Sequence, residues 1–226
     1  MFARLFDNDA PTADALARQR LAMVEQQLRA RGIRDERVLA AMAKVPRERF
    51  IASEDIAGAY GDYPLPIGAG QTISQPYIVA AMIEALEPSP EDRVLEVGTG
   101  TGYQAAILAD LVSEVWTIER HGELAEKARQ ILSQLGYTNV RVVHGDGSVG
   151  LPQQAPFDKI LVAAAAPRVP HSLIEQLADG GRLVIPIGTR LEQQVQVVRK
   201  VGDETVVQGH DPCRFVPLVG AQGWEP

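Results

Sequence analysis

Cysteine is all but absent from this sequence: Cys213 stands alone among 226 residues. One thiol excludes an internal disulfide framework, so a reducing, cytoplasmic compartment is expected. No apolar run reaches the length that a bilayer demands, and the N-terminus lacks the basic-then-apolar pattern of a signal peptide, so no membrane partner is expected. Histidine is sparse. His121, His144, His171 and His210 are scattered, at no metal-ligand spacing with one another or with Cys213, and no metal is expected. Neither a Gly-x-Ser-x-Gly elbow nor a phosphate-loop lysine is present. Positive charge is in deficit, the net charge being −7. That balance argues against a protein whose main task is gripping a phosphate backbone, so nucleic acid is not an expected partner.

What is present suits one domain with a substantial core: 226 residues, 46% hydrophobic and 23% charged. From Thr12, apolar positions Leu16, Leu21, Val24 and Leu28 recur at helical spacing up to Arg31-Gly32. Asp35 is a candidate cap for a second helix with Val38, Leu39, Met42 and Val45 on its apolar face, stopped by Pro46. Residues 59–76 are rich in Gly and Pro, too irregular for a helix or a long strand, and long irregular loops are often functional. A helix starts at Pro76, which leaves Ser74 open to two readings, a helix cap or a functional hydroxyl.

At Val94-Leu95-Glu96-Val97-Gly98-Thr99-Gly100-Thr101-Gly102-Tyr103 an apolar run ends in an acid and a three-glycine turn, and a helix begins at about Gln104. Such a strand–turn–helix crossing lets a ligand approach the backbone. The dinucleotide fingerprint fails, because Tyr103 stands where its third glycine belongs. Glu-x-Gly-x-Gly-x-Gly resembles instead the first motif of S-adenosylmethionine-dependent methyltransferases. The turn alone leaves another nucleotide binder or a structural turn open.

Strands and helices then alternate: strand 112–118 ending at Glu119, helix 122–135, strand 140–143, strand 157–165, helix 171–178 closed by Gly180-Gly181, strand 182–187. This predicts a mainly parallel, doubly wound sheet with right-handed crossovers. Residues 194–201 and 205–208, joined by Gly202-Asp203, read as a closing antiparallel hairpin, and 215–219 as a last short strand or an extended tail. Ligands of such sheets lie across the carboxyl ends of the strands. Glu119 falls about 20 residues past the turn, where a ribose-binding acid belongs. Asp146 closes the next strand, beside Gly147, and would read an adenine edge. Taken alone, Glu119 could be a solvated strand end and Asp146 a turn residue. After the fourth strand stands Ala163-Ala164-Ala165-Ala166-Pro167, with no polar clamp for a base amine. A nucleophile needing no catalytic base fits these absences, and a carboxylate is one, being ionised at pH 7.

Pro64-Leu65-Pro66-Ile67-Gly68, Gly70-Gln71-Thr72-Ile73-Ser74-Gln75-Pro76, the glycine turn, His144-Gly145-Asp146-Gly147, Ala164-Ala165-Ala166-Pro167 and Arg214-Phe215-Val216-Pro217-Leu218 closely resemble bacterial protein-L-isoaspartate O-methyltransferases, from about Ala17 to Val219. The resemblance implies an α/β, Rossmann-like methyltransferase fold with N-terminal helices. Residues 1–14 would be a flexible arm, 15–76 the helices and substrate loop, and 77–226 the cofactor-binding sheet of the same domain. It implies methyl transfer from S-adenosylmethionine, yielding S-adenosylhomocysteine, to the free α-carboxylate of isoaspartyl residues in damaged proteins or peptides. The ester then cyclises to a succinimide, whose hydrolysis returns some aspartate. The family's active-site serine falls on Ser74. Its cofactor contacts fall on Thr72, Glu96, Gly98, Gly100, Gly102, Glu119, Asp146 and Gly147, and its substrate contacts on Ile67, Gln71 and Ile73. The chain is expected to be a monomer. A methyltransferase of another acceptor, or a catalytically silent adaptor keeping the cofactor, is the alternative.

Overall fold

The computed structural model describes residues 11–225. The expected arm therefore lies largely outside the described residues, and its last two, Ala13 and Asp14, already belong to a helix. Helix α1 (Ala13–Met23) is capped by Thr12, whose hydroxyl accepts the Ala15 N–H. The single helix expected up to Gly32 changes pitch: Val24–Leu28 is π-helical and Arg29–Arg31 is a 3-10 turn before Gly32 closes it. The wider turn keeps Met23, Val24 and Leu28 all in the core. Asp35 caps α2 (Glu36–Lys44) as expected, accepting the Arg37 N–H at 2.8 Å.

The Gly- and Pro-rich stretch is less irregular than its composition suggests. It folds into a small hairpin of β1 (Leu65–Gly68) and β2 (Gln71–Ile73), turning at Ala69-Gly70, both at positive φ. Helix α3 (Pro76–Leu86) follows and buries Val79, Met82, Ile83 and Leu86.

The main sheet holds β3 (Arg93–Val97), β4 (Glu114–Glu119), β5 (Val140–His144), β6 (Phe157–Val162), β7 (Leu177–Gly188), β8 (Gln193–Val201) and β9 (Glu204–Cys213). Their order is β5-β4-β3-β6-β7-β8-β9. The first five are parallel neighbours, and β8 and β9 add antiparallel, as the loss of helical connections predicts. Helices α4 (Tyr103–Ala109), α5 (Gly122–Gln134) and α6 (His171–Glu175) make three of the crossovers, and β5 reaches β6 through the 3-10 turns Gly147–Val149 and Pro152–Gln154. Chain direction through the sheet reverses between β3 and β6, so a ligand crevice belongs at their carboxyl ends.

Two expectations need correction, at the end of β6 and at Gly180-Gly181, and of the two forms open to 215–219 the extended tail is the one adopted. Strand β6 stops at Val162, because Ala163–Ala166 bends out of the sheet. Residues 215–219 form no strand; they lie against that bend, with Ala165 N–H donating to Val216 O and Leu218 N–H to Ala165 O, both at 2.8 Å. Helix α6 ends at Glu175, and Gly180-Gly181 falls inside β7 rather than at a helix end. There the strand bulges, Leu177 pairing with Phe157 but Arg182 with Lys159.

Candidate active site

A cleft opens at the carboxyl ends of β3, β4 and β6, the place where ligands of such sheets lie. Its floor is the turn between β3 and α4. Gly98, Gly100 and Gly102 all take positive φ there, a conformation that side chains resist. Gly98 and Gly100 line the cleft. Gly102 does not: a Cβ on it would press within 3.1 Å of Leu132 Cδ1, so this glycine lets α5 pack against the turn.

One wall comes from the small hairpin. Ile67, Gln71, Thr72, Ile73 and Ser74 all face the cleft, and Ile67 Cδ1 lies 3.0 Å from where a Gly100 Cβ would stand. The hairpin thus sits directly on the glycine turn. Ser74 is half-buried, and the cap residue of α3 is Gln75, so the capping reading of Ser74 is not the one the structure adopts.

The opposite wall is the end of β4. Glu119 is 5% exposed and divides its carboxylate between two backbone donors, Gly100 N–H at 2.8 Å and His121 N–H at 3.0 Å. Arg120 and His121 line the cleft beside it. At the end of β5, Gly147 faces the cleft, and a Cβ there would meet Val97 Cγ1 at 2.5 Å, so only glycine fits.

Two acids expected to touch a ligand stand elsewhere. Glu96 is fully buried behind the turn. Its Oε2 accepts the Thr117 hydroxyl at 2.5 Å, and Thr117 Oγ1 lies 2.6 Å from Thr99 Oγ1, a chain that ties β3, β4 and the turn together. Burial pushes its pKa up to about 8; the Thr117 hydroxyl opposes that rise and Glu119 adds to it. Asp146 turns to the C-terminal segment: Oδ1 accepts the Ser148 N–H and hydroxyl, and Oδ2 accepts the Ala221 N–H at 2.8 Å. Burial alone would raise its pKa, but these donors outweigh it and hold the group below its ordinary value.

Sequence reading missed the last wall. Val216–Val219 closes the cleft beside Ala163 and Ala164, brought there by the pairing with Ala165. It missed Thr101 and Gln104 as well, both in the cleft and both nearly buried. The signal available was the polarity of Gln104 within an otherwise apolar helix start. Among the described residues no helix is long and apolar enough to cross a membrane.

Comparison with known proteins agrees with this geometry. A chain from Koribacter versatilis named protein-L-isoaspartate O-methyltransferase is 58% identical over 217 residues, covering 96% of this chain and 98% of the relative. One of the same name from Methanoregula boonei is 56% identical over 207 residues, covering 92% and 95%. A solved protein-L-isoaspartate O-methyltransferase superposes with a TM-score of 0.82 at 29% identity, over 92% of this chain and 67% of that one. A Plasmodium falciparum structure described as a protein-L-isoaspartate O-methyltransferase in complex with S-adenosyl-L-homocysteine gives 0.76 at 26% identity, over 88% and 98%. The model of the protein-L-isoaspartate(D-aspartate) O-methyltransferase family matches residues 18–223, and the chain belongs to that family.

Proposed function

We propose that this chain transfers a methyl group from S-adenosylmethionine to the free α-carboxylate of L-isoaspartyl residues in damaged proteins and peptides. One observation carries the reading: the glycine turn, the Glu119 end of β4 and the Gln71–Ser74 loop meet in a single cleft. A cofactor site and an acceptor site are thereby joined.

The residues fit the cofactor. Side-chain-free backbone at Gly98 and Gly100 gives it a floor. Each Glu119 oxygen keeps a lone pair beyond its backbone bond, enough for two ribose hydroxyls. The Gly147 backbone forms the rim where a base would lie. Glu96, Gly102 and Asp146 support this site from outside it, through the turn, through α5 and through the C-terminal segment. When bound, the cofactor supplies an electrophilic methyl group on a sulfonium cation.

The protein's own part is positioning. The acceptor carboxylate is ionised at pH 7 and needs no base. In this reading Ser74, which lines the cleft, donates its hydroxyl hydrogen to that carboxylate and orients it, with the Gln71–Ser74 backbone alongside. It is a donor, not a nucleophile. Because an anion and a cation combine into neutral products, an apolar, water-poor cleft favours the transition state. Ile67, Ile73, Val79, Ala163, Ala164 and Leu218 provide those walls. Holding the two reacting groups in line supplies most of the remaining acceleration. The single cysteine and acidic charge support a cytoplasmic location and a protein rather than nucleic-acid acceptor.

The test is methyl transfer from labelled S-adenosylmethionine to two peptides that differ only in L-isoaspartate against L-aspartate. Base-labile ester on the isoaspartyl peptide alone is expected. No transfer to either peptide, with cofactor binding intact, would overturn the assignment.

A further inference from the structure

Eight buried side-chain nitrogen or oxygen atoms among the described residues have no hydrogen-bond partner, and of their residues only Thr101 and Gln104 line the cleft. Gln104 is the more telling. It is 8% exposed, and its Nε2 is one of the unpartnered atoms. Its helix, Tyr103–Ala109, is buried along its entire length, and Gln104 is the one aliphatic polar side chain in it. Leaving a buried amide unpaired is destabilising, and a leucine at the same place would carry no such cost. Core packing therefore gives no reason for glutamine here. A ligand does.

We propose that the Gln104 amide is a binding residue that donates a hydrogen bond to a carboxylate held in the cleft, an inference that rests on the methyl-transfer reading above. An amide nitrogen has two N–H donors and no acceptor capacity, so its partner must be an acceptor. Both reactants bring one: the amino-acid end of S-adenosylmethionine and the isoaspartyl residue each carry a carboxylate. A neutral donor also suits the chemistry. It orients an anion without adding a fixed positive charge that would hold the reacting ion pair in its ground state.

Calorimetry with S-adenosylhomocysteine and with 5′-methylthioadenosine, which lacks the amino acid, tests the proposal together with initial rates against isoaspartyl peptide. The variants are Gln104→Leu and Gln104→Glu. If the cofactor's carboxylate is the acceptor, Gln104→Leu weakens S-adenosylhomocysteine about 10-fold, the worth of one charge-assisted hydrogen bond, and leaves 5′-methylthioadenosine unchanged. If it is the substrate's, S-adenosylhomocysteine is unaffected and the peptide KM rises by a similar factor. In either case Gln104→Glu, of equal size but like charge, loses more than Gln104→Leu, and Gln104→Leu melts no lower than the wild type. Unchanged cofactor binding and peptide KM in both variants overturns the proposal. So does equal weakening of both nucleosides, or a Leu variant worse than the Glu variant, since packing would explain either. A wild-type chain that methylates no isoaspartyl peptide would defeat the functional reading, while the calorimetric arm would still report on Gln104.

Discussion

The Glu119 carboxylate accepts the Gly100 N–H through Oε2 at 2.8 Å while its Oε1 accepts the His121 N–H at 3.0 Å. One acid at the end of β4 thus fixes the turn that ends β3, and it does so from inside the cleft. Shape and the proposed ribose recognition are coupled through the same two oxygens.

Glu119→Gln places an amide NH₂ against one of those two backbone donors. Affinity for S-adenosylhomocysteine is expected to fall at least about 10-fold, or about 1.4 kcal/mol. The melting temperature should drop too, since losing a hydrogen bond to a charged group costs about 1.5–3 kcal/mol. Titration calorimetry and thermal unfolding read the two effects separately. Undiminished affinity would show that Glu119 only braces the turn.

Ser74→Ala removes the proposed donor to the acceptor carboxylate without touching the cap of α3, which is Gln75. Turnover should fall about 10-fold or more, while S-adenosylhomocysteine affinity stays within about twofold, the pattern of an interaction made chiefly in the transition state. Loss of cofactor binding in the same calorimetric experiment would move Ser74 from the reaction to the architecture of the pocket.

Local signals made most of this fold legible. The glycine turn, the Asp35 cap and the strand–helix alternation are short-range patterns, and they placed β3, β4, β5 and β6 in one parallel sheet. Gly180-Gly181 misled because a glycine pair marks a helix end and a strand bulge equally well; only the pairing of Arg182 with Lys159 decides. The Val216–Val219 wall had no local signal, since it is set by hydrogen bonds to Ala165, about fifty residues away in the chain. In the site, the strand-end positions of the acids were legible but their side-chain partners were not. Glu96 and Asp146 occur where ligand-binding acids occur, yet Glu96 points into the sheet at Thr117 and Asp146 points at Ala221.

Asp146 is therefore expected to hold the C-terminal wall in place. Its oxygens accept Ala221 and Ser148, and the Ser148 hydroxyl accepts the Gln222 N–H at 3.0 Å. Asp146→Ala should free this segment, so trypsin cleaves faster at the exposed Arg214, and S-adenosylhomocysteine affinity falls with it. The folded pKa lies below the unfolded value, so this contribution is fully present above the ordinary carboxylate pKa of about 3.9 and is lost as pH falls through the lower folded value. Cleavage at Arg214 no faster than in the wild type would leave Asp146 without an anchoring role.

Glu96 gives the opposite dependence on pH. Its folded pKa, about 8, is raised by burial above an unfolded value of about 4.3. Between those values the folded chain binds the extra proton, so stability falls as pH rises through that window: the contribution is complete below about pH 4 and gone above about pH 8. Glutamine mimics the protonated acid, accepting the Thr117 hydroxyl without ever ionising. Glu96→Gln should therefore melt close to the wild type at pH 5 and above it at pH 9, where the variant is the more stable by an amount on the order of a few kcal/mol. Because Glu96 does not reach the cleft, S-adenosylhomocysteine affinity at pH 7 should change little. Parallel melting profiles across that range would mean that Glu96 ionises normally in the folded chain. A large loss of affinity would mean that Glu96 reaches the ligand after all, through the turn or directly.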